Sequence, residues 1–340
     1  MDTPVIARWL AHAVEAAGTS HLERGTPCQD AALAAAGPRA AVAVLCDGAG
    51  SAPLSHEGAR AVSTALRAWL PVHHRRLCAL PLPDARAAIT LEAQRALLER
   101  AAALGVEVRA LACTLAFASV DGDSALVGNL GDGVVGGLSG GESTTLLGPM
   151  RGEFANETVF VTSRHAAEHL QLAQLPAATV DGFALMSDGA AFSLVDARTG
   201  HLARALHHLA AWCATLQPSD VADALSTSLV PLLRSRTRDD VSVALLCHVR
   251  LDLDTLLTRP RRLQQAVLGV GSALGLRNRL RVLAARLAQP EASARRVGIE
   301  VGLSTRAARG HLDALASLIV PVGDRASDVG GQQPTVRASA

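Results

Sequence analysis

A series of short apolar runs, several of them ending at or beside Asp or Gly, limits the folds open to this 340-residue chain. Runs of this length with turn-forming residues at their ends indicate β-strands, whereas a membrane-spanning helix needs roughly 18 apolar residues in a row. The strands come in consecutive pairs separated by helical stretches, which favours antiparallel sheets covered by helices over a regular βαβ alternation. We predict strands at 40–46, 114–120, 124–130, 158–162, 182–187 and 241–249, and helices at 55–70, 84–104, 201–216 and 219–234.

The scarcity of aromatic residues restricts both the core and the binding surfaces. Hydrophobic residues make up 49% of the chain, but Phe, Trp and Tyr together only 2%, so Ala, Val and Leu must build the core. Nucleic-acid recognition by base stacking is excluded on this composition. The N-terminal stretch carries Asp2, Arg8 and Glu15 and does not read as a signal peptide, and the six cysteines are scattered. We therefore expect a cytoplasmic protein with reduced thiols and no membrane contact.

The formal net charge of +1 is the sum of two parts of the chain with opposite charges. Residues 251–340 hold 13 Arg against 7 acidic residues, which leaves 19 against 24 in the preceding part, so the formal charges are +6 and −5. Strand-like runs also give way to Arg-rich helical segments at about residue 251. We predict a first domain over 1–250, a linker or helical connection over 251–276, a small helical domain over 277–325, and a poorly ordered tail over 326–340.

Aspartates lie at the ends of several predicted strands. Asp47 follows the run AVAVLC, Asp188 follows FALMS, Asp239 and Asp240 precede VSVALL, and Asp30 closes PCQD. A single Asp-Gly pair is more typical of a turn than of a ligand. A set of such carboxylates, each at a strand end, suits the hard oxygen ligands of Mg²⁺ or Mn²⁺, and no His or Cys pair has the spacing of a zinc site.

The order of these motifs resembles the type 2C metal-dependent serine/threonine protein phosphatases, and in particular a divergent bacterial branch of that family. The resemblance covers roughly residues 5–250. Its pieces, in chain order, are GTSHLERGTPCQD (18–30), VLCDGAGSA (44–52), SHEGA (55–59), ACTLAFA (112–118), VGNLGDG (127–133), GEFANET (152–158), LMSDG (185–189) and RDDVSV (238–243).

The resemblance implies an α+β fold, a four-layer α-β-β-α sandwich of antiparallel sheets, with a site for two Mn²⁺ or Mg²⁺ ions at one end. Asp47 would bridge both ions and the Gly48 carbonyl would bind one of them. Asp188 and Asp239 would hold the second ion. A phosphorylated protein is the implied substrate, and a hydroxide shared by the two ions would attack the phosphoester phosphorus.

Further ligands follow from the same resemblance. Asp30 would complete the metal shell directly or through water, and Asp132 would help to bind a weaker third ion. Gly133-Val134 replaces the Ser-Arg that is usual after that third-metal residue, which is a departure from the family pattern. Asp240 stands where relatives often carry Asn, so we expect it to support the ligands rather than bind metal.

Phosphate binding departs from the family pattern. Many relatives carry an Arg a few residues before the first acid, and here the nearest candidates are His21 and Arg24. For His21, a catalytic role as phosphate contact or proton donor competes with an ordinary loop histidine that has a backbone partner. The segment 148–175 would form a flap that contacts substrate, unless it is an ordinary surface loop. The residues of interest in it are Gly152, Asn156 and Thr158.

The C-terminal part resembles the helix-turn-helix of winged-helix regulators over about forty residues. The string VGLSTRAARGHLDAL contains a Gly-Leu-Ser turn followed by a helix with an apolar stripe. Arg306 and Arg309 lie one turn apart on the opposite face, where they would contact DNA. The alternative is that the module docks a protein, since Arg on a solvated helix face is ordinary in a chain without lysine.

Our sequence-based hypothesis is a bacterial phosphatase acting on phospho-Ser or phospho-Thr, with a C-terminal module that targets or regulates it and with a cognate Ser/Thr kinase acting on the same substrate. Two alternatives stay open. The first is a catalytically weak phosphatase-like domain that serves as a binding module. The second is a DNA-binding regulator with a phosphatase-like sensor domain.

Overall fold

Two antiparallel sheets form the centre of the molecule. The computed structural model describes residues 4–37, 40–149 and 158–320. Within these residues, one sheet has the strand order β11-β1-β10-β9-β6-β7 and the other the order β2-β3-β4-β5-β8. The strands are β1 (Val5–Ala16), β2 (Ala31–Ala36), β3 (Ala40–Cys46), β4 (Leu115–Asp121), β5 (Ser124–Leu130), β6 (Val134–Ser139), β7 (Glu142–Leu147), β8 (Gln171–Pro176), β9 (Gly182–Met186), β10 (Val241–Leu251) and β11 (Ile319–Val320).

Helices cover the outer faces of both sheets. A π-helical turn at Leu225–Leu229 separates α7 from α8. The helices are α1 (Thr19–Arg24), α2 (Ser55–Ala79), α3 (Leu82–Leu104), α4 (Ala166–His169), α5 (Asp188–Leu194), α6 (Arg204–Cys213), α7 (Pro218–Ala224), α8 (Val230–Arg234), α9 (Leu253–Thr258), α10 (Arg261–Leu268), α11 (Ala273–Ala288), α12 (Ala294–Val301) and α13 (Thr305–Leu315).

The buried side chains form layers that follow from strand alternation. On β3, Val42 and Val44 pack outward with α2 and α3, whereas Ala43 and Leu45 pack inward against the other sheet. The inner faces of both sheets meet in a core rich in alanine, which suits a chain with so few aromatic residues. The outer face of the β1-containing sheet packs against α5–α13. The four-layer α+β sandwich of antiparallel sheets is therefore confirmed.

Several predicted elements match closely, and one is wrong. The predicted strands at 40–46 and 124–130 are β3 and β5, and the predicted helix at 84–104 is α3. Residues 158–162 were predicted as a strand but form no strand. The Val161 amide bonds to the Cys113 carbonyl at 2.9 Å, yet no ladder of hydrogen bonds follows, and the chain turns at once.

The C-terminal helices pack on the central sandwich. Side chains of α10, α11 and α13 share one apolar cluster with the outer face of the β1-containing sheet. The short strand β11 pairs with the beginning of β1, and the Ala7 amide donates to the Leu318 carbonyl at 2.7 Å. The predicted division at residues 250 and 276 stays a prediction, but the apolar packing continues across it. In the described residues, no helix is long and apolar enough to cross a membrane.

Candidate metal centre

Three of the predicted acidic residues lie at the same end of the β3-containing sheet. The antiparallel pairing sets Ala31 of β2 opposite Cys46 of β3, so Asp30 and Asp47 come together just beyond that pair. Asp132 follows β5 two residues after its last residue, and β5 ends at this side of the sheet because its last residue pairs with the first of β4. Asp47 and Asp132 are placed by β3 and β5, whose interiors are buried.

The other sheet brings three more aspartates to this end. Val243 of β10 and the first residue of β6 both pair with Met186, the last residue of β9. Asp188, two residues beyond β9, therefore lies beside Asp239 and Asp240, which precede β10. We call the end of the sandwich that carries these residues the acidic edge: Asp30, Asp47, Asp132, Asp188 and Asp239, with Asp240 behind them.

The carboxylates of the acidic edge repel one another. Burial raises the pKa of Asp47 well above its ordinary value, and the charges of Asp30, Asp188, Asp132 and Asp239 raise it further. The pKa of Asp188 is also raised, first by burial and then by the charges of Asp132 and Asp239. So many uncompensated carboxylates within electrostatic reach form an unfavourable arrangement that cations would offset.

The surroundings of Asp30 are those expected of a metal ligand. It is 2% exposed, and within the described residues neither of its carboxylate oxygens has a hydrogen-bond partner. Burial raises its pKa to about 8, the nearby Ser242 and Ser187 side chains oppose that rise, and the charge of Asp240 adds to it. A buried carboxylate without a partner is costly, and hard oxygen donors suit Mg²⁺ or Mn²⁺. In the described ranges, no three His, Cys, Asp or Glu side chains converge around one point as metal ligands do. The mutual repulsion of the carboxylates opposes such convergence.

Thr114 and Gly48 position Asp47. The Asp47 amide donates to the Thr114 hydroxyl at 2.9 Å, and the Thr114 amide donates to the Asp47 carbonyl at 2.8 Å. A Cβ on Gly48 would lie 2.8 Å from both the Gln29 carbonyl oxygen and the Ser55 hydroxyl, so only glycine fits there. Thr114 was not predicted as a site residue. The sequence feature that could have indicated it is its position as a polar residue directly before the apolar strand LAFASV.

Asp240 joins the acidic edge to the N-terminal loop. Its carboxylate accepts hydrogen bonds from the Gly18 amide at 2.6 Å and the Gln29 amide at 2.6 Å, and it contacts His21 Nδ1 at 2.7 Å. The residue is 3% exposed. These partners are the basis on which a supporting role stays the prediction for Asp240. His21 is buried beside it, with a carboxylate partner instead of the backbone partner of the loop-histidine alternative.

Hydrogen bonds on both sides hold the turn that contains Asp132 in place. The Thr158 hydroxyl donates to the Asp132 carboxylate at 2.9 Å, and the Asn129 side-chain amide donates to the Gly133 carbonyl at 3.0 Å. Thr158 thus lies beside a proposed ligand, in agreement with its place in the predicted flap. The other two flap residues, Gly152 and Asn156, lie outside the described residues. Asn129, a buried amide within the apolar strand SALVGNL, was not predicted.

The remaining predicted residues lie on the surface. Arg24 is exposed at the end of α1, and within the described residues no side-chain hydrogen bond or ion pair engages it. Arg306 and Arg309 are exposed on α13, among the C-terminal helices. The roles of these arginines stay predictions.

Comparisons of the sequence with known proteins find protein phosphatases. The sequence model of protein phosphatase 2C matches residues 17–234. Serine/threonine-protein phosphatase 3 of Escherichia coli (strain K12) is 33% identical over 171 residues, which span 48% of this chain and 66% of that relative, just under two thirds of its length.

Solved structures show the same fold at low sequence identity. A bacterial serine phosphatase is 16% identical with a TM-score of 0.50, and the match covers 70% of this chain and 96% of the other. A C. elegans sex determining protein is 16% identical with a TM-score of 0.52, over 72% of this chain and 66% of the other. The family match spans most of the chain and confirms the resemblance; it includes four of the aspartates of the acidic edge and ends before Asp239 and Asp240. The chain belongs to the protein phosphatase 2C family.

Proposed function

We propose that this chain is a metal-dependent phosphatase that hydrolyses phospho-Ser or phospho-Thr in proteins. The observation that carries the proposal is the position of Asp47 within electrostatic reach of four other aspartates, which come from both sheets. A module that only binds a partner has no need for so many costly neighbouring carboxylates. This argument favours catalysis over a phosphatase-like binding module.

Asp47, the Gly48 carbonyl, Asp188 and Asp239 would hold two Mn²⁺ or Mg²⁺ ions, and Asp30 would complete the shell. Asp132 would take part in a weaker third site. Bound divalent cations lower the pKa of a water molecule and offset the negative charge on a phosphoester. No cysteine nucleophile is needed for this chemistry.

The chain's own residues would position the substrate and the ligands. Asp240 holds the Gly18 and Gln29 amides in place and thereby fixes the loop that leads to Asp30. Asp240 engages the Nδ1 atom of His21 and orients the ring, so His21 is proposed to contact the phosphate or donate a proton through Nε2. Arg24, on the exposed end of α1, is the proposed phosphate contact, because a guanidinium can chelate phosphate with two parallel hydrogen bonds.

Phosphatase activity tests the proposal directly. Purified protein should hydrolyse p-nitrophenyl phosphate and a phosphothreonine peptide only when Mn²⁺ or Mg²⁺ is added. Asp47→Asn should lower the rate by at least about 10³-fold, because it removes a ligand charge at the reacting centre. The matched control is Asp84→Asn, an exposed aspartate in the first turn of α3. Turnover that persists in EDTA, or no turnover with either metal, would overturn the proposal.

The C-terminal helices are proposed to target or regulate the phosphatase. They pack directly on the outer face of the sheet that supplies Asp188 and Asp239. The proposed substrate is a phosphorylated protein, so a Ser/Thr kinase would have to supply it.

A further inference from the structure

Helices α11, α12 and α13 form a compact helix-turn-helix unit. Gly302, with φ +65°, ends α12 and opens a three-residue turn, and the Ser304 hydroxyl then caps α13 by accepting the Ala307 amide at 3.2 Å. A Cβ on Gly298 would lie 2.8 Å from the Leu303 carbonyl oxygen, so glycine is required where α12 meets the turn. A short glycine-containing turn between two packed helices is the geometry that presents a second helix to a DNA groove.

The exposed surface of this unit is basic. Residues 272–320 contain eight Arg against three acidic residues. Exposed arginines lie on all three helices, and within the described residues none of their guanidinium groups has a hydrogen bond or an ion pair. They are Arg277, Arg281, Arg295, Arg296, Arg306 and Arg309. Several of the other arginines in the chain pair with acids, for example Arg60 with Glu15 and Arg100 with Glu57.

The small residues on the exposed face of α13 leave room for a binding partner to approach the helix closely. Gly310 lies within this helix, and a Cβ there would meet no atom within 4 Å, so packing within the protein gives no reason for glycine. Glycine in a helix interior is less favourable than alanine because it loses more conformational freedom on folding. Arg306 and Arg309 flank it on the N-terminal side, and Ala307 beside them is exposed and small. A narrow basic face of this kind fits a surface that carries closely spaced negative charges.

We propose that α13 docks duplex DNA, with Arg306 and Arg309 on the phosphate backbone and the exposed arginines of α11 and α12 adding further phosphate contacts. Charge complementarity favours DNA as the partner, because unpaired arginines gain the most binding free energy from a polyanion. Residues 272–320 contain no Phe, Trp or Tyr, so this surface has no stacking platform for single strands. The proposal does not depend on phosphatase activity.

Fluorescence anisotropy of a labelled duplex of about 30 base pairs, titrated with the full chain, tests the proposal. At about 50 mM NaCl we expect micromolar binding that weakens steeply with added salt. Arg306→Ala/Arg309→Ala should weaken binding at least about tenfold and lower the salt slope by about 2. The matched control is Arg67→Ala/Arg76→Ala, which removes two exposed arginines from α2. Circular dichroism would show that both pairs of substitutions leave the fold intact.

Three results would overturn the proposal. The first is no duplex binding at low salt, which would leave a protein as the partner of this unit. The second is an equal loss of binding in the α2 control, which would indicate attraction by overall charge. The third is equal or tighter binding of the single strand of the same length, which would contradict docking to a duplex groove.

Discussion

At the scale of single residues, Asp240 secures the acidic edge. Its buried carboxylate holds two backbone amides and His21, and all three lie more than 200 residues away in the chain. A sequence pattern does not reveal such a pairing, because nothing local to Asp240 specifies its partners. Asp47 and Asp188 are different. Asp47 follows an apolar strand directly and Asp188 follows one after a single intervening residue, so the strand endings predict their place.

Asp240→Asn should lower the free energy of unfolding by about 2–3 kcal/mol, because the hydrogen bonds to a charged acceptor are weakened and one amide proton must face a donor. Urea denaturation of the purified variant measures this loss. Asp84→Asn, at an exposed position, should leave the denaturation midpoint unchanged. An equal effect of the two substitutions would show that the network around Asp240 does not stabilise the fold.

His248 makes the fold sensitive to acid. It stacks on Trp9 with ring centroids 4.6 Å apart, and burial, followed by the charge of Arg250, lowers its pKa to about 4. The unfolded chain, with an ordinary histidine pKa near 6.5, binds a proton more readily between these values. Stability is therefore complete above about pH 6.5 and is lost as pH falls towards 4, by at most about 3 kcal/mol from this residue.

Denaturation of the His248→Phe variant at pH 7 and at pH 4.5 checks this prediction. Phenylalanine keeps a ring against Trp9 and cannot titrate, so the loss of stability between the two pH values should be smaller than in the unsubstituted protein. The exposed His208 provides the control substitution, His208→Phe. An unchanged pH dependence in His248→Phe would contradict the assignment.

At the scale of elements, two helical glycines should respond oppositely to alanine. In α2, a Cβ on Gly58 would lie 1.9 Å from the Leu111 carbonyl oxygen, whereas a Cβ on Gly310 in α13 would meet open space. Gly58→Ala should destabilise the protein by about 1–3 kcal/mol, since the backbone must shift. Gly310→Ala should stabilise α13 by up to about 1 kcal/mol. Melting temperatures that move in the same direction would refute this interpretation.

Most of the strands and helices predicted from local pattern are present, but the pattern fails where long-range pairing or proline decides. Residues 158–162 contain a short apolar run like that of a strand, yet Val161 forms a single backbone hydrogen bond to Cys113 and gains no neighbouring strand. The predicted helix at 219–234 is helical throughout but contains a π-helical turn at Leu225–Leu229, just before Pro231. Proline has no amide proton to donate to the preceding turn, which accounts for the local irregularity.

At the scale of the whole molecule, the layered sandwich explains why the acidic edge forms. Strands from both sheets end at one side, so aspartates from distant parts of the chain meet there. The family resemblance predicted this meeting, and strand pairing supplies its physical cause. The charge division also has a structural counterpart, because the acidic part supplies the edge and the basic part supplies the helices α11–α13. The apolar cluster that joins the two parts was not predicted, since helical periodicity does not show which surface covers a stripe.

The most direct test of the account measures phosphate release and bound Mn²⁺ in the same samples. Metal-stripped protein is titrated with Mn²⁺ in the presence of a phosphothreonine peptide. The rate should rise in step with Mn²⁺ bound per chain, and Asp188→Asn should reduce both, while Asp84→Asn should change neither. Full turnover by metal-stripped protein, or Mn²⁺ binding by Asp188→Asn equal to that of the unsubstituted chain, would contradict a catalytic metal centre at the acidic edge.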